Sequence, residues 1–290
     1  MPDGNPPPLV STEWLAARLD RSDLRVVDGS WYLPQSGRDA AAEHAEGHIP
    51  GAVFFDLDAS SDPAATLPHM LPAPDDFAAR MSRLGLDDGS MVVVYDGSGV
   101  NLSAPRVWWM FRTFGHRATA VLDGGLGKWK AEGRPLERGA IQPRPGRFTA
   151  RLDSSRVRHL VDIVADLGLR SEQVVDMRSA ERFEGTQAEP RVGVRSGHIP
   201  GSLSVPFTEL VAPDGTVLPP QVLRERLEAA GLDLRLPIVA TCGSGTSACS
   251  LVLGLELLGH ESVTVYDGSW TEWGGRRDTP LELGPARIPA

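Results

Sequence analysis

The chain is written twice. Gly47-His48-Ile49-Pro50-Gly51-Ala52 recurs as Gly197-His198-Ile199-Pro200-Gly201-Ser202. Upstream of these stand Val26-Val27-Asp28 and Val174-Val175-Asp176. Downstream, Val93-Val94-Tyr95-Asp96-Gly97-Ser98-Gly99 lines up with Val239-Ala240-Thr241-Cys242-Gly243-Ser244-Gly245. Further on, Leu122-Asp123-Gly124-Gly125 with Trp129 matches Tyr266-Asp267-Gly268-Ser269 with Trp273. Matches that keep one order along both halves indicate two copies of one domain, and loop-length changes explain the drift in their spacing. A length of 290 residues suits two domains, each burying its own core. The expected layout is a first domain over 10–132, a linker over 133–153 and a second domain over 154–285. The linker holds Pro135, Pro143 and Pro145 with glycines among arginines.

Within the second copy the elements alternate. Residues 173–177 read as a short apolar strand, 220–230 as a helix ending at Gly231, and 237–241 as a strand with Val and Ile. Residues 248–258 form an apolar helix stopped by Gly259, and 262–266 alternate as another strand. Strands separated by helices predict an α/β fold, each domain a mostly parallel sheet flanked by helices. In such sheets, sites form at the carboxyl ends of strands.

Cys242 falls at such an end. A strand delivers it, Gly243-Ser244-Gly245-Thr246-Ser247 follow, and a helix begins. The two glycines let the backbone curl. A curled loop feeding a helix N-terminus aims several N–H groups at one spot, which favours an anion. The anion available is the thiolate of Cys242, the nucleophilic form of the side chain. Cys249, inside the apolar helix, reads as core packing. The first copy carries Asp96 at the position of Cys242, and a carboxylate cannot carry sulfur. That copy is expected to be silent as a nucleophile.

Composition excludes other classes. A net charge of −9 does not suit nucleic acid, and no basic run overrides it. No stretch of eighteen apolar residues exists to span a membrane. The proline-rich start, residues 1–10, lacks the basic and apolar parts of a signal peptide, so a cytoplasmic enzyme is expected. The two cysteines are too few for a disulfide framework, and the scattered histidines lack zinc-ligand spacing. No metal and no organic cofactor is expected.

Cys242-Gly243-Ser244-Gly245-Thr246-Ser247-Ala248 resembles the active-site loop of the tandem rhodanese family, closest to its members that take sulfur from 3-mercaptopyruvate. Asp28-Gly29-Ser30-Trp31-Tyr32-Leu33, Ser103-Ala104-Pro105-Arg106-Val107-Trp108-Trp109, Arg182-Phe183-Glu184-Gly185 and Glu189-Pro190-Arg191 are similar as well, so the resemblance spans nearly the whole chain. It implies a sulfurtransferase that moves sulfur through a Cys242 persulfide to cyanide or a thiol acceptor such as thioredoxin, releasing pyruvate. By the same resemblance, Ser244, Asp58 and His69 belong to a proton relay. Arg182 and Arg191 hold the substrate's carboxylate and carbonyl. Gly243, Gly245, Thr246 and Ser247 line the substrate site. A guanidinium fork suits such a planar carboxylate. His48 and His198 repeat in both copies, which points to a structural role.

Three rivals stand beside this reading. Thiosulfate:cyanide sulfurtransferases usually carry Arg and Lys after the cysteine, where this chain has Gly243 and Ser244. A phosphatase of the C-x5-R type needs an arginine where this chain has Ala248, and is rejected. A sulfur-carrier or binding module without turnover is the third.

Overall fold

The computed structural model describes residues 5–139 and 141–287. Residues 1–4 of the proline-rich start and residue 140 of the expected linker lie outside the described residues. The chain divides into two compact units. The first comprises Met1–Pro63, Leu71–Asp153 and Val211–Val217, and the second Ala64–Met70, Ser154–Leu210 and Leu218–Ala290.

The first unit holds strands β1 (Leu9–Val10), β2 (Leu24–Asp28), β3 (Val53–Phe54), β4 (Met91–Tyr95) and β5 (Thr119–Leu122). Its helices are α1 (Thr12–Ala16), α2 (Ala40–Glu46), α3 (Pro74–Arg83), α4 (Ala104–Thr113) and α5 (Gly125–Ala131). The sheet order is β1-β5-β4-β2-β3, and every pairing is parallel. The second unit repeats the plan. Its strands are β6 (Val157–Arg158), β7 (Gln173–Asp176), β8 (Leu203–Ser204), β9 (Ile238–Thr241) and β10 (Val263–Tyr266), in the order β6-β10-β9-β7-β8, again all parallel. Its helices are α6 (Leu160–Leu169), α7 (Ala180–Glu184), α8 (Pro220–Ala229), α9 (Ala248–Leu257) and α10 (Ser269–Gly275). The expected α/β class, with two like domains, is what the chain adopts.

The middle strands explain themselves. Val92, Val93 and Val94 of β4 are fully buried, as are Ile238, Val239 and Ala240 of β9. A strand covered on both faces needs an unbroken apolar run, and β-branched residues fit the pleat. On one face of the first sheet, Val93 and Tyr95 pack with Leu15, Ile49 and Trp129. On the second sheet, Val239 and Tyr266 pack with Ile163, Ile199 and Trp273. The repeated tryptophans are therefore core, and each buried indole N–H finds a carbonyl. Trp129 donates to Pro135 O at 2.8 Å, and Trp273 donates to Pro280 O at 2.7 Å.

The repeated histidines are structural too. His48 Nδ1 lies 2.8 Å from His44 O, and His198 Nδ1 lies 2.9 Å from Phe183 O. Each ring also stacks on a neighbour, His48 on His44 and His198 on Phe183. Burial holds His198 below the ordinary histidine range, so it is neutral near pH 7. The main chain at both positions is tied by reciprocal bonds, His48 with Glu137 and His198 with Glu282.

The proline-rich stretch is fastened along the first unit. Phe148 packs its ring 5.9 Å from both Phe77 and Phe111. Gly146 N–H donates to Ser82 O, Arg151 N–H to Phe114 O and Asp153 N–H to Thr113 O. A Cβ at Gly146 would stand 2.2 Å from Leu86 O, so only glycine allows the strap to lie this close. Gly146→Ala is expected to destabilise the first unit by about 1–3 kcal/mol. Faster hydrogen exchange of the β4 amides, with β9 unchanged, is the measurement.

Candidate active site

Strand β9 ends at Thr241 and hands Cys242 to a tight loop. The cysteine is 2% exposed. Gly245 sits at φ 76°, a conformation that favours glycine, and its carbonyl accepts the Cys249 thiol at 3.3 Å. Helix α9 then begins without a side-chain cap at Ser247. Its apolar residues, Cys249 among them, are buried, which anchors the loop from below.

The backbone of the loop is held by the start of α10. Trp270 N–H donates to Cys242 O at 2.9 Å. Thr271 donates to Gly243 O from its N–H at 2.9 Å and from its hydroxyl at 2.5 Å. Ser269 Oγ accepts from Cys242 N–H at 3.3 Å and donates to Tyr266 O. Ser269 adopts φ 49°, where the first copy uses Gly125 at φ 53°. A non-glycine residue there costs of order 1 kcal/mol. The compensation is a hydroxyl placed under the amide of the cysteine.

The first unit displays what such a loop holds. Asp96, 1% exposed, accepts from the N–H groups of Ser98 at 2.8 Å and of Ser103 and Ala104 at 2.9 Å, and from the Ser98 hydroxyl. Those donors correspond to Ser244, Ser247 and Ala248 of the second copy. The strand–loop–helix turn is an anion cradle, and in the first unit the anion is built in.

Around Cys242 the second unit gathers most of the expected residues. His69 lies on the segment Ala64–Met70, which belongs to this unit. It is 2% exposed and held at φ 62°. Its Nδ1 is 2.9 Å from Ser244 Oγ and 3.0 Å from Thr246 Oγ1. One ring nitrogen thus serves two hydroxyls of the cysteine loop. Arg182, on α7, and Arg191 both reach Gly243. A Cβ on that glycine would stand 3.1 Å from Arg182 Nη2 and 3.7 Å from Arg191 Nη1. Asp58 is not in this set. It belongs to the first unit, where it is exposed and accepts from Trp31 Nε1 at 3.1 Å.

A buried ion network orients Arg182, and motif reading had not singled it out. Arg178 binds Asp176 through Nε and Nη2, Glu189 through Nη1 at 2.6 Å and Gly197 O at 2.7 Å. Glu189 in turn takes Arg182 Nη2 at 2.5 Å and Nε at 3.2 Å. One carboxylate, 3% exposed, therefore locks two guanidinium groups. The signal available was Asp176 with Arg178, two residues apart at the end of a buried strand. Ser269 and Thr271 had a signal of another kind, the repeat itself, which puts Ser269 where the first copy has glycine. Among the described residues, no group of three or more His, Cys, Asp or Glu is placed to hold a metal ion.

Arg178→Ala would leave Asp176 buried without its cation and Glu189 with Arg182 alone. It is expected to destabilise the second unit by about 3–5 kcal/mol in urea denaturation. Arg178→Lys would restore only part of this, since one ammonium cannot span two carboxylates and a carbonyl.

The comparisons with known proteins agree with this geometry. The profile of the Rhodanese-like domain matches residues 11–132 and again 160–276. The chain is 47% identical to human 3-mercaptopyruvate sulfurtransferase over 270 residues, covering 91% of each chain. It is 43% identical to the bovine protein named thiosulfate sulfurtransferase, over 91% of each chain. The crystal structure of SseA from Escherichia coli, described as a 3-mercaptopyruvate sulfotransferase of rhodanese fold, superposes with a TM-score of 0.84 at 39% identity. That match covers 91% of this chain and 99% of SseA.

Proposed function

We propose that this chain, which belongs to the rhodanese family, transfers the sulfur of 3-mercaptopyruvate through a persulfide on Cys242. The observation that carries the choice of donor is the side-chain-free Gly243 with Arg182 and Arg191 against it. A planar α-keto carboxylate asks for guanidinium forks on its carboxyl and carbonyl oxygens. An arginine in the place of Gly243, as thiosulfate-type loops carry, would crowd Arg182 and set a third positive charge beside the two guanidinium groups. Sequence identity alone does not separate the donors, since relatives named for either one stand at 47% and 43%.

In the first half-reaction the Cys242 thiolate attacks the substrate sulfur. The S–S bond forms as the C–S bond breaks, and the bonding pair passes to carbon as the pyruvate enolate. Arg182 and Arg191 stabilise the developing oxyanion. The substrate thiol's proton leaves by way of Ser244 and His69 and is returned to the enolate carbon, completing pyruvate. The hydroxyl–imidazole contact at 2.9 Å supports that route. Asp58 is assigned to the same relay on the family resemblance.

The loop amides that surround Asp96 in the first unit have counterparts around Cys242, where they would hold the outer sulfur's charge. Attack on that sulfur by cyanide, or by a thiol such as that of thioredoxin, breaks the S–S bond and returns its electrons to Cys242 as thiolate. Neither Cys242 nor Cys249 is in a disulfide, and no described helix is long and apolar enough to cross a membrane. These observations support the proposal of a cytoplasmic enzyme working with reduced thiols.

Mass spectrometry after incubation with 3-mercaptopyruvate tests the scheme. The expected result is a gain of one sulfur atom with release of pyruvate, lost in Cys242→Ser and kept in Cys249→Ser. A gain without pyruvate would favour the carrier reading, and faster turnover of thiosulfate would overturn the donor assignment. Arg182→Gln is expected to lower kcat/KM for 3-mercaptopyruvate about tenfold to a hundredfold, the worth of a charge-assisted hydrogen bond.

A further inference from the structure

The second unit has a cavity at the end of its sheet remote from Cys242. Cys242 follows the carboxyl end of β9, whereas the cavity opens where β7 begins, beside the turn into β8 and Leu236, two residues before β9. Its volume is about 380 Å³, within the range of small-molecule sites. Helix α6 forms one wall with Ile163 and Leu167, and Val174, Leu203 and Leu236 form the others. Leu236 is 45% exposed at the mouth, so the cavity shows apolar surface to solvent.

The charges at its rim are unequal in their commitments. Asp166 accepts from Ser171 N–H and hydroxyl and from Glu172 N–H. Glu172 is held bidentately by Arg158 at 2.9 and 2.7 Å. Asp233 is held bidentately by Arg235 at 2.9 and 2.7 Å. Arg170 is the exception. It caps α6 at φ 49°, its N–H bonds to Asp166 O, and its guanidinium lies near the turn at Gly201. Among the described residues that guanidinium has no hydrogen-bonded or ion-paired partner. The rim therefore presents three carboxylates already neutralised or hydrogen-bonded and one cation with its donors open.

We infer that this cavity is a second binding site, for an amphipathic monoanion whose apolar body lies against Ile163, Leu167, Val174 and Leu203 and whose carboxylate meets Arg170. Apolar burial supplies most of the affinity, and the guanidinium selects the sign of the head group. The site stands apart from the sulfur-transfer chemistry, so it does not depend on the donor assigned above.

Decanoate below its micellar concentration is a suitable probe, titrated into the full chain carrying 13C-labelled Ile, Leu and Val methyl groups. Saturable one-to-one shifts of the Ile163, Leu167, Val174 and Leu203 methyls are expected, unchanged in Cys242→Ser. Arg170→Gln should weaken binding about fivefold, with an unaltered unfolding midpoint, and Arg170→Lys should recover most of it. Decyltrimethylammonium should bind more weakly than decanoate. Absence of saturable shifts at these methyls, equal binding of the cation, or unchanged affinity in Arg170→Gln would overturn the assignment.

Discussion

A carboxylate held by main-chain N–H groups, where a buried strand turns into an apolar helix, is the constraint on which the first unit is organised. Backbone donors in a dry interior need acceptors. Asp96 supplies one in the first unit, and its carboxylate gathers the amides of Ser98, Ser103 and Ala104. The parallel sheet exists around that turn. Its central strand is covered on both faces, so water cannot compete for the donors. The second unit has Cys242 at the matching place, with Ser244, Ser247 and Ala248 where those donors stand.

Support for the turn comes in layers. The first residues of α10 grip the backbone of Cys242 and Gly243, and Ser269 accepts a strained conformation to do so. Beyond them, Asp176, Arg178 and Glu189 form a buried chain of ions that ends on Arg182. Burying so many charges is expensive unless each is paired. Their effect is to give the long side chain of Arg182 one orientation beside Gly243.

The fold was legible because duplication prints every key turn twice. The repeated His48 and His198, and Trp129 and Trp273, could be recognised as structural on that ground alone. The cysteine loop was legible from its own composition, a run of small polar residues between two apolar elements. Other parts were not. Arg178 looks like any arginine until its burial is seen, and Glu189 acquires meaning only from the two guanidinium groups it joins. The proline-rich stretch over 133–153 has the composition of a flexible connector, yet Phe148 and Gly146 fasten it to the first unit. His69 stands far from Cys242 in sequence, and nothing local reveals that its segment belongs to the second unit.

The crowding at Gly243 bears on how donor preference changes over evolutionary time. A side chain at position 243 would press on Arg182 Nη2, 3.1 Å from a Cβ there, so that guanidinium has to give way. Arg182 cannot swing away without giving up its bonds to Glu189, which would leave that buried carboxylate to Arg178 alone. A change at position 243 is thus felt across the cysteine loop, α7 and a buried carboxylate, and is expected to be accompanied by change at Arg182 or Glu189.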